Sequence, residues 1–408
     1  MKILLINKYN FIKGGSEVYT FGLKKMLIRD GHEVIDFSMK NEKNLSSKYN
    51  KYFVDEVDYT RKDIKSKIKN SVNLIYSKES YKKLCALIED TKPDIAHVNL
   101  IYHQLTPSIL HALKKYNIPI IFTSHDYKII CPNYKLYNKN LCTECIKGKY
   151  INCAKNGCHK NSKVFSLLLT MEAYLHKYLK SYELCDKIIC PSEFMKEKLI
   201  EHGIDEEKLI YIPNFINPDY YFESKKYKDV RKERTILYYG RLSEEKGVLN
   251  LLQAVNLTKK DFILKIIGTG PEISKIEEYI KNNNLTNVQL LGFKSGKELF
   301  EEISKAYCTV IPAIWHEVFG LTIIESYAFG TPVIGANLGG ISEIIKDEVT
   351  GFKFNDVEEL NLKIQRILDM DSTEYNNMIK NCLCEAEKYA PEKIYKMILA
   401  VYCSELKK

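Results

Sequence analysis

The chain has 408 residues, of which 45% are hydrophobic and 28% are charged, a balance that excludes a disordered or collagen-like protein. Its length predicts two or three domains, which are large enough to form cores without disulfide bonds. The formal net charge of +9, from 61 Lys and Arg against 52 Asp and Glu, favours anionic partners but does not by itself select nucleic acid.

The amino terminus, MKILLIN, contains too short an apolar run for a signal peptide. No uncharged apolar stretch reaches the length of about 18 residues that a membrane-spanning helix needs. We therefore expect a cytoplasmic protein, in which the twelve cysteines are thiols or metal ligands rather than disulfides.

Short runs rich in Ile, Val, Leu and Tyr alternate with helix-length amphipathic stretches. Several runs are apolar without alternation, which is typical of strands buried on both faces of a parallel sheet. Because the pattern restarts halfway, we predict an α/β protein with two doubly wound domains. The predicted strands are Lys2–Asn7, Glu33–Ser38, Asp94–Asn99, Pro119–Ser124, Lys187–Cys190, Leu209–Ile212, Thr235–Tyr239, Phe262–Gly268, Val288–Leu291, Cys308–Pro312 and Pro332–Ala336.

The join between the domains is predicted near Pro213–Pro218. The first domain is expected to contain residues 1–215 together with residues 391–408, which include a last helix. The second is expected to contain residues 216–390.

The segment Lys13-Gly14-Gly15-Ser16-Glu17 follows the first predicted strand and opens a helix. Two glycines let the backbone approach a ligand closely, and the amides at a helix start can bind an anion. The segment is not the dinucleotide-binding pattern G-x-G-x-x-G, and a plain turn with Ser16 as the N-cap is the alternative.

Residues 61–75 predict a basic amphipathic helix, with Ile64, Ile68, Val72 and Ile75 on one face and basic residues on the others. Such a helix can lie on an anionic bilayer. It can equally pack on the protein core with its lysines in solvent.

Five cysteines and a histidine lie between positions 131 and 159, directly after His125-Asp126. One C-x2-C pair and two later cysteines provide the four thiolates of a structural zinc site. The alternative is a set of thiols in a loop that contacts an acceptor, and we expect this insert, residues 131–159, to form a lid on the acceptor side. The candidate zinc ligands are Cys142, Cys145, Cys153 and Cys158.

The segment from Gly240 to Gly247 follows a predicted strand and precedes a helix. Arg241 leaves the carboxyl end of that strand, where open α/β sheets bind ligands. Arg241 and Lys246 together can clamp a diphosphate. The alternative is a surface turn with charge pairs, against which the scarcity of arginine counts, since the chain has six.

The segment from His316 to Glu325 ends in a predicted helix. Phe319, Gly320 and Leu321 would present backbone amides at the positive end of that helix. Glu317 lies in the preceding loop. Glu325 is an acid within an apolar helix and needs a partner, either in the core or in the diol of a ribose.

In this order and spacing, the segments resemble the retaining glycosyltransferases of family 4, which have the GT-B fold of two Rossmann-like domains facing a cleft. The resemblance extends over nearly the whole chain. The matching segments are Gly14-Gly15-Ser16-Glu17, His125-Asp126, Pro191-Ser192-Glu193, Pro213-Asn214, Gly240-Arg241, Lys246-Gly247, Gly268-Thr269-Gly270-Pro271 and Glu317 to Glu325.

The resemblance implies that a nucleotide diphospho-sugar, with UDP or GDP as its nucleotide, binds mainly to the second domain. It places Arg241 and Lys246 at the diphosphate, Glu325 at the ribose hydroxyls and Glu317 at the hydroxyls of the donor sugar. It also makes His125 an active-site histidine near the sugar. The other implied binding residues are Gly14 and Gly15 at the phosphates, Phe319, Gly320 and Leu321 as backbone donors, and Gly268 and Phe293 around the base.

The resemblance further implies transfer of a hexose with retention of configuration, and no catalytic metal, since charged side chains and helix amides stabilise the leaving diphosphate. The expected acceptor is a hydroxyl of a surface-polysaccharide or lipid-linked glycan. Family members with lipid-linked acceptors often dock on membranes through the first domain, which would use residues 61–75. Where many members read His-x-His, this chain has His97-Val98-Asn99, and we expect His97 to be a core histidine.

Three alternatives remain. A sugar-nucleotide 2-epimerase has the same fold but uses other carboxylates. A zinc-containing nucleic-acid-binding protein would suit the net charge, but the interleaved aromatic and basic residues of RNA-binding sheets are absent, and we expect no nucleic-acid partner. A catalytically inactive scaffold would not need the intact set of Arg241, Lys246, Glu317 and Glu325.

Overall fold

The computed structural model describes residues 1–56, 71–227 and 230–407. The chain divides into two units, one formed by Met1–Ile212 with the chain end from Tyr395, and the other by Pro213–Ile394. Each unit contains one six-stranded sheet in which all neighbouring strands are parallel. The predicted pair of doubly wound sheets is therefore confirmed.

The first sheet has the order β2-β1-β3-β4-β7-β8. Its strands are β1 (Lys2–Ile6), β2 (Glu33–Phe37), β3 (Ile95–Val98), β4 (Ile120–Thr123), β7 (Lys187–Cys190) and β8 (Leu209–Tyr211). A small antiparallel hairpin, β5 (Tyr137–Asn138) and β6 (Asn140–Leu141), lies in the cysteine-rich insert. The run Ile3–Ile6 is at most 4% exposed, as expected for a strand covered on both faces.

The helices of the first unit include α1 (Gly15–Arg29), α2 (Lys78–Thr91), α3 (Ser108–Lys115), α4 (Ile151–Asn156), α5 (Lys163–Tyr178) and α6 (Glu193–His202). Serine hydroxyls cap α2, α5 and α6 by accepting a backbone N–H, which satisfies one of the unpaired amides at each start. The alternative in which Ser16 is the N-cap of α1 does not hold. Gly14 is the N-cap residue, and Ser16 lies in the first turn, where its hydroxyl donates to Glu17 at 3.1 Å.

The second sheet has the order β11-β10-β9-β12-β13-β14. Its strands are β9 (Glu233–Tyr239), β10 (Ile263–Ile267), β11 (Val288–Leu290), β12 (Ala306–Ile311), β13 (Val333–Ala336) and β14 (Gly351–Phe354). The sequence analysis did not predict β14, because its four residues alternate and lack a continuous apolar run.

The helices of the second unit are α7 (Pro218–Ser224), α8 (Val248–Leu257), α9 (Ile273–Asn282), α10 (Gly296–Lys305), α11 (Leu321–Ala328), α12 (Gly339–Ile344), α13 (Val357–Leu368) and α14 (Ser372–Ala386). A last helix, α15 (Pro391–Leu406), ends the chain. Its later residues belong to the first unit, where the Tyr402 hydroxyl hydrogen-bonds Nδ1 of His97 at 2.5 Å.

The predicted amphipathic helix at residues 61–75 falls largely outside the described residues, which resume at residue 71. Its use as a membrane surface therefore stays a prediction. Within the described part of the chain, no helix is both long and apolar enough to cross a bilayer.

Candidate active site

Two glycines allow the loops at the carboxyl end of the second sheet to pack closely. Gly268 follows β10 with φ of 146°, and a Cβ there would lie 1.8 Å from the carbonyl oxygen of Gly240, after β9. Gly247 has φ of 69°, and its Cβ would lie 1.8 Å from the carbonyl oxygen of Pro312, after β12. Any larger residue would push the loops that follow these three strands apart.

Arg241 is held by its backbone and leaves its guanidinium exposed. The Tyr238 hydroxyl donates to the Arg241 carbonyl oxygen at 2.8 Å, and Leu242 N–H donates to Thr269 O at 3.0 Å. Among the described residues, none accepts a hydrogen bond from the Arg241 side chain or forms an ion pair with it. The loop therefore presents a fixed cation to solvent at the end of β9.

Lys246 and Glu317 form an ion pair between Nζ and Oε1. Lys246 Nζ also lies 5.6 Å from the centre of the Trp315 ring, a cation–π contact. The Glu317 side chain is 12% exposed, so this pair is only partly screened by solvent. The structure thus brings Lys246, the candidate for binding the diphosphate, into direct contact with Glu317, the candidate for binding the donor sugar.

The loop that carries Glu317 is fixed by the start of α12. Gly340 N–H donates to the Glu317 carbonyl oxygen at 2.8 Å, and a Cβ on Gly339 would lie 2.6 Å from the same oxygen. Sequence analysis did not single out this glycine pair, although a Gly-Gly dipeptide between a strand and a helix signals close backbone approach.

Helix α11 begins directly after this loop, with Gly320 as its N-cap residue. Ile323 N–H bonds back to Gly320 O at 3.0 Å. The amides of Gly320, Leu321 and Thr322 precede it at the positive end of the helix, where no earlier helical carbonyl can accept them. Phe319 is buried and packs against Tyr389, so its side chain anchors the helix start.

Glu325 is buried in α11, at 8% exposure, and has no hydrogen-bond or ion-pair partner among the described residues. Burial raises its pKa to about 8, because a charged carboxylate is poorly solvated there. Tyr239 and Tyr220 are near enough for the Glu325 charge to raise their own pKa values. The structure supplies no core partner for this acid, so the ligand alternative remains.

Gly268 and Phe293, the candidates for the base, lie at the ends of neighbouring strands. Gly268 N–H donates to Gly292 O at 2.7 Å, which joins the loops after β10 and β11. Phe293 is 73% exposed. Its ring is available to stack on a flat ligand.

His125 follows β4 in the first unit and is held in one tautomer. The Asn99 amide nitrogen donates to Ile6 O at 3.4 Å, so the Asn99 oxygen faces His125 Nε2, at 2.9 Å. Nε2 must therefore carry the proton, and Nδ1 is an acceptor. Burial lowers the pKa of His125 to about 3, which keeps the ring neutral. Tyr19 packs edge-on against it, with 4.9 Å between ring centres.

His97 is a core residue, as expected. Its side chain is fully buried on β3, and its two ring nitrogens bond to Tyr402 and Thr123. The neighbouring Asn99 is the residue that sequence analysis did not connect to His125. The only signal for Asn99 in the sequence was that it replaces the second histidine of the His-x-His pattern.

Gly14 and Gly15 lie at the start of α1 in the first unit. Glu17, in the first turn, is buried and hydrogen-bonded to Ser16 and to Asn7, at 3.1 and 3.3 Å. Burial raises the pKa of Glu17. The role of the two glycines at a phosphate stays a prediction.

The cysteine-rich insert forms a small cluster around Cys145, Tyr150 and Cys153, against which Cys158 packs. Burial raises the pKa of the Cys142 and Cys145 thiols, so they stay protonated without a metal. Within the described ranges, no group of three or more His, Cys, Asp or Glu side chains is arranged to hold a metal ion. The zinc site stays a prediction.

The two sheets and the loops at their carboxyl ends define a protein of the GT-B class, and comparison with known proteins gives its family. The family described as Glycosyltransferase Family 4 matches residues 13–220, and the one described as Glycosyl transferases group 1 matches residues 220–382. The chain belongs to glycosyltransferase family 4.

Relatives and a solved structure are similar over much of their length. An uncharacterized 42.6 kDa protein in the cps region of Klebsiella pneumoniae is 27% identical over 97% of this chain and 100% of its own. The 2-deoxystreptamine N-acetyl-D-glucosaminyltransferase of Niallia circulans is 27% identical over 72% of each chain. An Anabaena protein, crystallised in complex with UDP, has a TM-score of 0.67 at 16% identity and covers 99% of this chain and 100% of its own.

Proposed function

We propose that this glycosyltransferase moves a hexose from a nucleotide diphospho-sugar to a hydroxyl of a surface-polysaccharide or lipid-linked glycan, retaining the anomeric configuration and using no catalytic metal. UDP is the favoured nucleotide, because the Anabaena neighbour is in complex with it, and GDP is the alternative. The surface-glycan acceptor is supported by the relative in the Klebsiella cps region.

One observation carries the proposal. Glu325 is a buried carboxyl with no hydrogen-bond or ion-pair partner among the described residues. It lies one turn after the start of α11, and this helix follows the loop that contains Glu317, the partner of Lys246. A buried carboxyl without a hydrogen bond is costly to the fold, and a ribose diol supplies two donors to it. Function rather than stability accounts for such a group.

The chemistry follows from the charges around the helix start. Cleavage of the sugar–phosphate bond places negative charge on the leaving diphosphate. Arg241, Lys246 and the α11 amides stabilise that charge, which is the task that a divalent cation performs in other transferases. Glu317 accepts hydrogen bonds from the donor sugar's hydroxyls.

In the first unit, His125 is suited to accept a hydrogen bond from a sugar hydroxyl through Nδ1, since Nε2 is occupied by Asn99. Because the ring is neutral, it does not compete with Arg241 and Lys246 for the negatively charged diphosphate. We therefore propose His125 as a group that orients the sugar rather than a general acid.

The test is a thermal-shift panel of UDP-, GDP-, ADP- and dTDP-sugars with the wild type and Arg241→Ala. A donor at 100 times its Kd adds about 2.7 kcal/mol to stability. We expect one nucleotide class to raise the Tm, and the shift to disappear in Arg241→Ala. The matched control is Arg366→Ala, which removes an exposed arginine paired with Glu374 elsewhere in the same unit.

Incubation of the enzyme with the stabilising donor, a glycan acceptor with a free hydroxyl and EDTA then separates the alternatives. Release of the nucleoside diphosphate with an α-linked product from an α-linked donor supports retention without metal. Conversion of the free donor into its 2-epimer would show the epimerase instead. No stabilisation by any donor contradicts the assigned donor site.

A further inference from the structure

A cavity of about 110 Å³ opens on the surface of the first unit. Its walls come from α5, from the end of α6, and from the segments that follow β4 and precede α4, β7 and β8. None of the residues assigned above to the donor or to the sugar lines it. Because an engineered cavity of about 150 Å³ binds benzene, this one has room for about four or five heavy atoms, or for one end of a longer molecule.

Glu172 of α5 places an unpaired acceptor in the wall of this cavity. Its side chain is 1% exposed, and Oε2 accepts a hydrogen bond from Lys128 Nζ at 2.6 Å. Oε1 has no hydrogen-bond partner among the residues that the structure describes. Burial raises the pKa of Glu172, but Lys128 favours the carboxylate, in which both oxygens are acceptors. A buried carboxylate oxygen without a donor is costly to the fold, which indicates a ligand that supplies one.

His202, at the end of α6, provides a second acceptor. Its ring stacks on Tyr150, with 5.8 Å between ring centres. The Tyr150 hydroxyl donates to Ile129 O at 3.3 Å, so its oxygen accepts a hydrogen bond from His202 Nε2, at 3.0 Å. Nδ1 is therefore an acceptor, and it is buried without a partner in the described part of the chain. Burial lowers the pKa of His202 to about 4, which keeps the ring neutral.

The mouth of the cavity is positively charged. Lys177 and Lys180 line it and are exposed. Lys180 pairs with Glu183 at 3.6 Å, whereas Lys177 forms no ion pair with any described residue. These charges disfavour an ammonium ligand. The two unpaired acceptors, on Glu172 and His202, disfavour a carboxylate or phosphate in the interior, since such groups have no proton to donate.

Hydroxyl groups match the polar atoms of this wall. Each donates one hydrogen bond, to Glu172 Oε1 or His202 Nδ1, and can accept another from Lys177. The rest of the wall includes the aliphatic side chains of Ile129 and Ala173, which suit C–H groups. Water makes the same hydrogen bonds, but the aliphatic surface favours a ligand that also contains carbon.

We propose that this cavity binds the hydroxyl groups of a neutral sugar or polyol. The ligand is either a free small molecule or the terminal sugar of a glycan. This site is additional to the donor site of the proposed function. Binding to it requires neither a nucleotide nor transfer, so the two proposals fail separately.

The experiment is calorimetric titration of the full chain, without nucleotide, with glycerol, glucose, galactose, mannose and N-acetylglucosamine. We expect at least one of them to bind, with a Kd on the order of 1 mM. His202→Phe keeps a ring stacked on Tyr150 but removes Nδ1, and should weaken this binding about fivefold, as expected for one lost hydrogen bond. If the methyl glycoside of the same sugar binds more tightly, the ligand is the terminal sugar of a glycan; if it binds equally or more weakly, the ligand is the free molecule.

Ala173→Leu tests the cavity by its volume. The larger side chain should occupy the cavity and weaken binding by at least about tenfold. Because it fills a void, the Tm of this variant should equal or exceed that of the wild type, which distinguishes lost binding from misfolding. The matched control is Ala86→Leu, at an exposed position on α2 of the same unit, which should bind like the wild type.

A sugar bound at the candidate donor site instead would be lost in Glu317→Gln and retained in Ala173→Leu. That result overturns the proposal. It is also overturned if no member of the panel binds to the wild type, or if crystals soaked with the sugar hold only water in the cavity.

Discussion

At the carboxyl end of the second sheet the candidate side chains include an exposed cation and an ion pair, whereas at the carboxyl end of the first sheet the candidate histidine is neutral and held in place. Arg241 is exposed and Lys246 lies beside Glu317. His125 is held neutral by burial and by Asn99. If the proposed function is right, the same strand-loop-helix architecture supplies two kinds of chemistry: the second unit stabilises developing charge, and the first positions uncharged hydroxyls.

Among the changes in the second unit, removal of the Glu317 charge should cause the largest loss of activity. We expect Glu317→Gln to lower kcat by about a hundredfold or more, because hydrogen bonds to the sugar hydroxyls strengthen in the transition state. Steady-state transfer rates with the identified donor measure the loss. Glu374→Gln, which breaks another ion pair of the same unit, is the control.

The Lys246–Glu317 contact makes this result informative in a double-mutant cycle. If the two side chains act as a unit, Lys246→Met/Glu317→Gln costs no more than the worse single change. Additive losses would show that each side chain contacts the donor independently of the ion pair. Unchanged kcat in Glu317→Gln would remove this residue from the site.

Glu325 gives a second test of the comparison between the two units. It is the titratable group of the second unit whose carboxyl burial keeps partly protonated. Its pKa is raised to about 8, and two hydroxyl donors favour the carboxylate, so binding of a donor should release a proton. Donor affinity should then rise with pH up to pH 8, by at most about tenfold per unit. Calorimetric titration with a nucleotide diphospho-sugar at several pH values measures the slope.

Glu325→Gln is the matched variant, and its affinity should not follow pH in this range. The same variant also tests how Glu325 affects the stability of the protein without ligand. Because the folded pKa lies above the unfolded one, this group's contribution to stability is lost as pH rises from about 4 to about 8. Glu325→Gln should therefore exceed the wild type in Tm at pH 8 and lose that advantage toward pH 4. A wild-type affinity independent of pH would contradict the ribose assignment.

Sequence reasoning succeeded where a local signal was sufficient. The buried strands are continuous apolar runs, and the sheets that they form are confirmed. The segments around Arg241 and Glu317 were singled out because they combine rare or costly residues at the ends of such runs, and their roles stay predictions. Sequence reasoning did not predict β14, where Gly351-Phe352-Lys353-Phe354 alternates and has no continuous apolar run. Ser16 was considered as the N-cap of α1 only in the alternative interpretation, and the structure places Gly14 at that position.

Contacts between distant segments were beyond sequence reasoning. Asn99 and His125 meet because β3 and β4 pair in register, with Val98 opposite Phe122, which brings the residues after both strands together. The packing of Gly339 and Gly340 on the Glu317 loop depends in the same way on the neighbouring strands β12 and β13. Such contacts are set by sheet order, which a local pattern does not specify.

The smallest expected effect lies on the neutral side and tests whether Asn99 is a positioning residue for His125. Asn99→Asp places a carboxylate at the Nε2 proton and should raise the pKa of His125 from about 3 toward its ordinary range. Near neutral pH the ring stays mostly uncharged, and we expect a loss of only about threefold in kcat. As pH falls the variant should lose activity earlier than the wild type, because protonated Nδ1 no longer accepts a hydrogen bond from a hydroxyl.

The titration of the His125 ring protons by NMR reports the same pKa shift without substrate. The control is Asn99→Ala, which frees the ring without placing a charge beside it and should lower activity at all pH values alike. If Asn99→Asp and Asn99→Ala have the same pH profile, Asn99 supports the fold and does not set the tautomer.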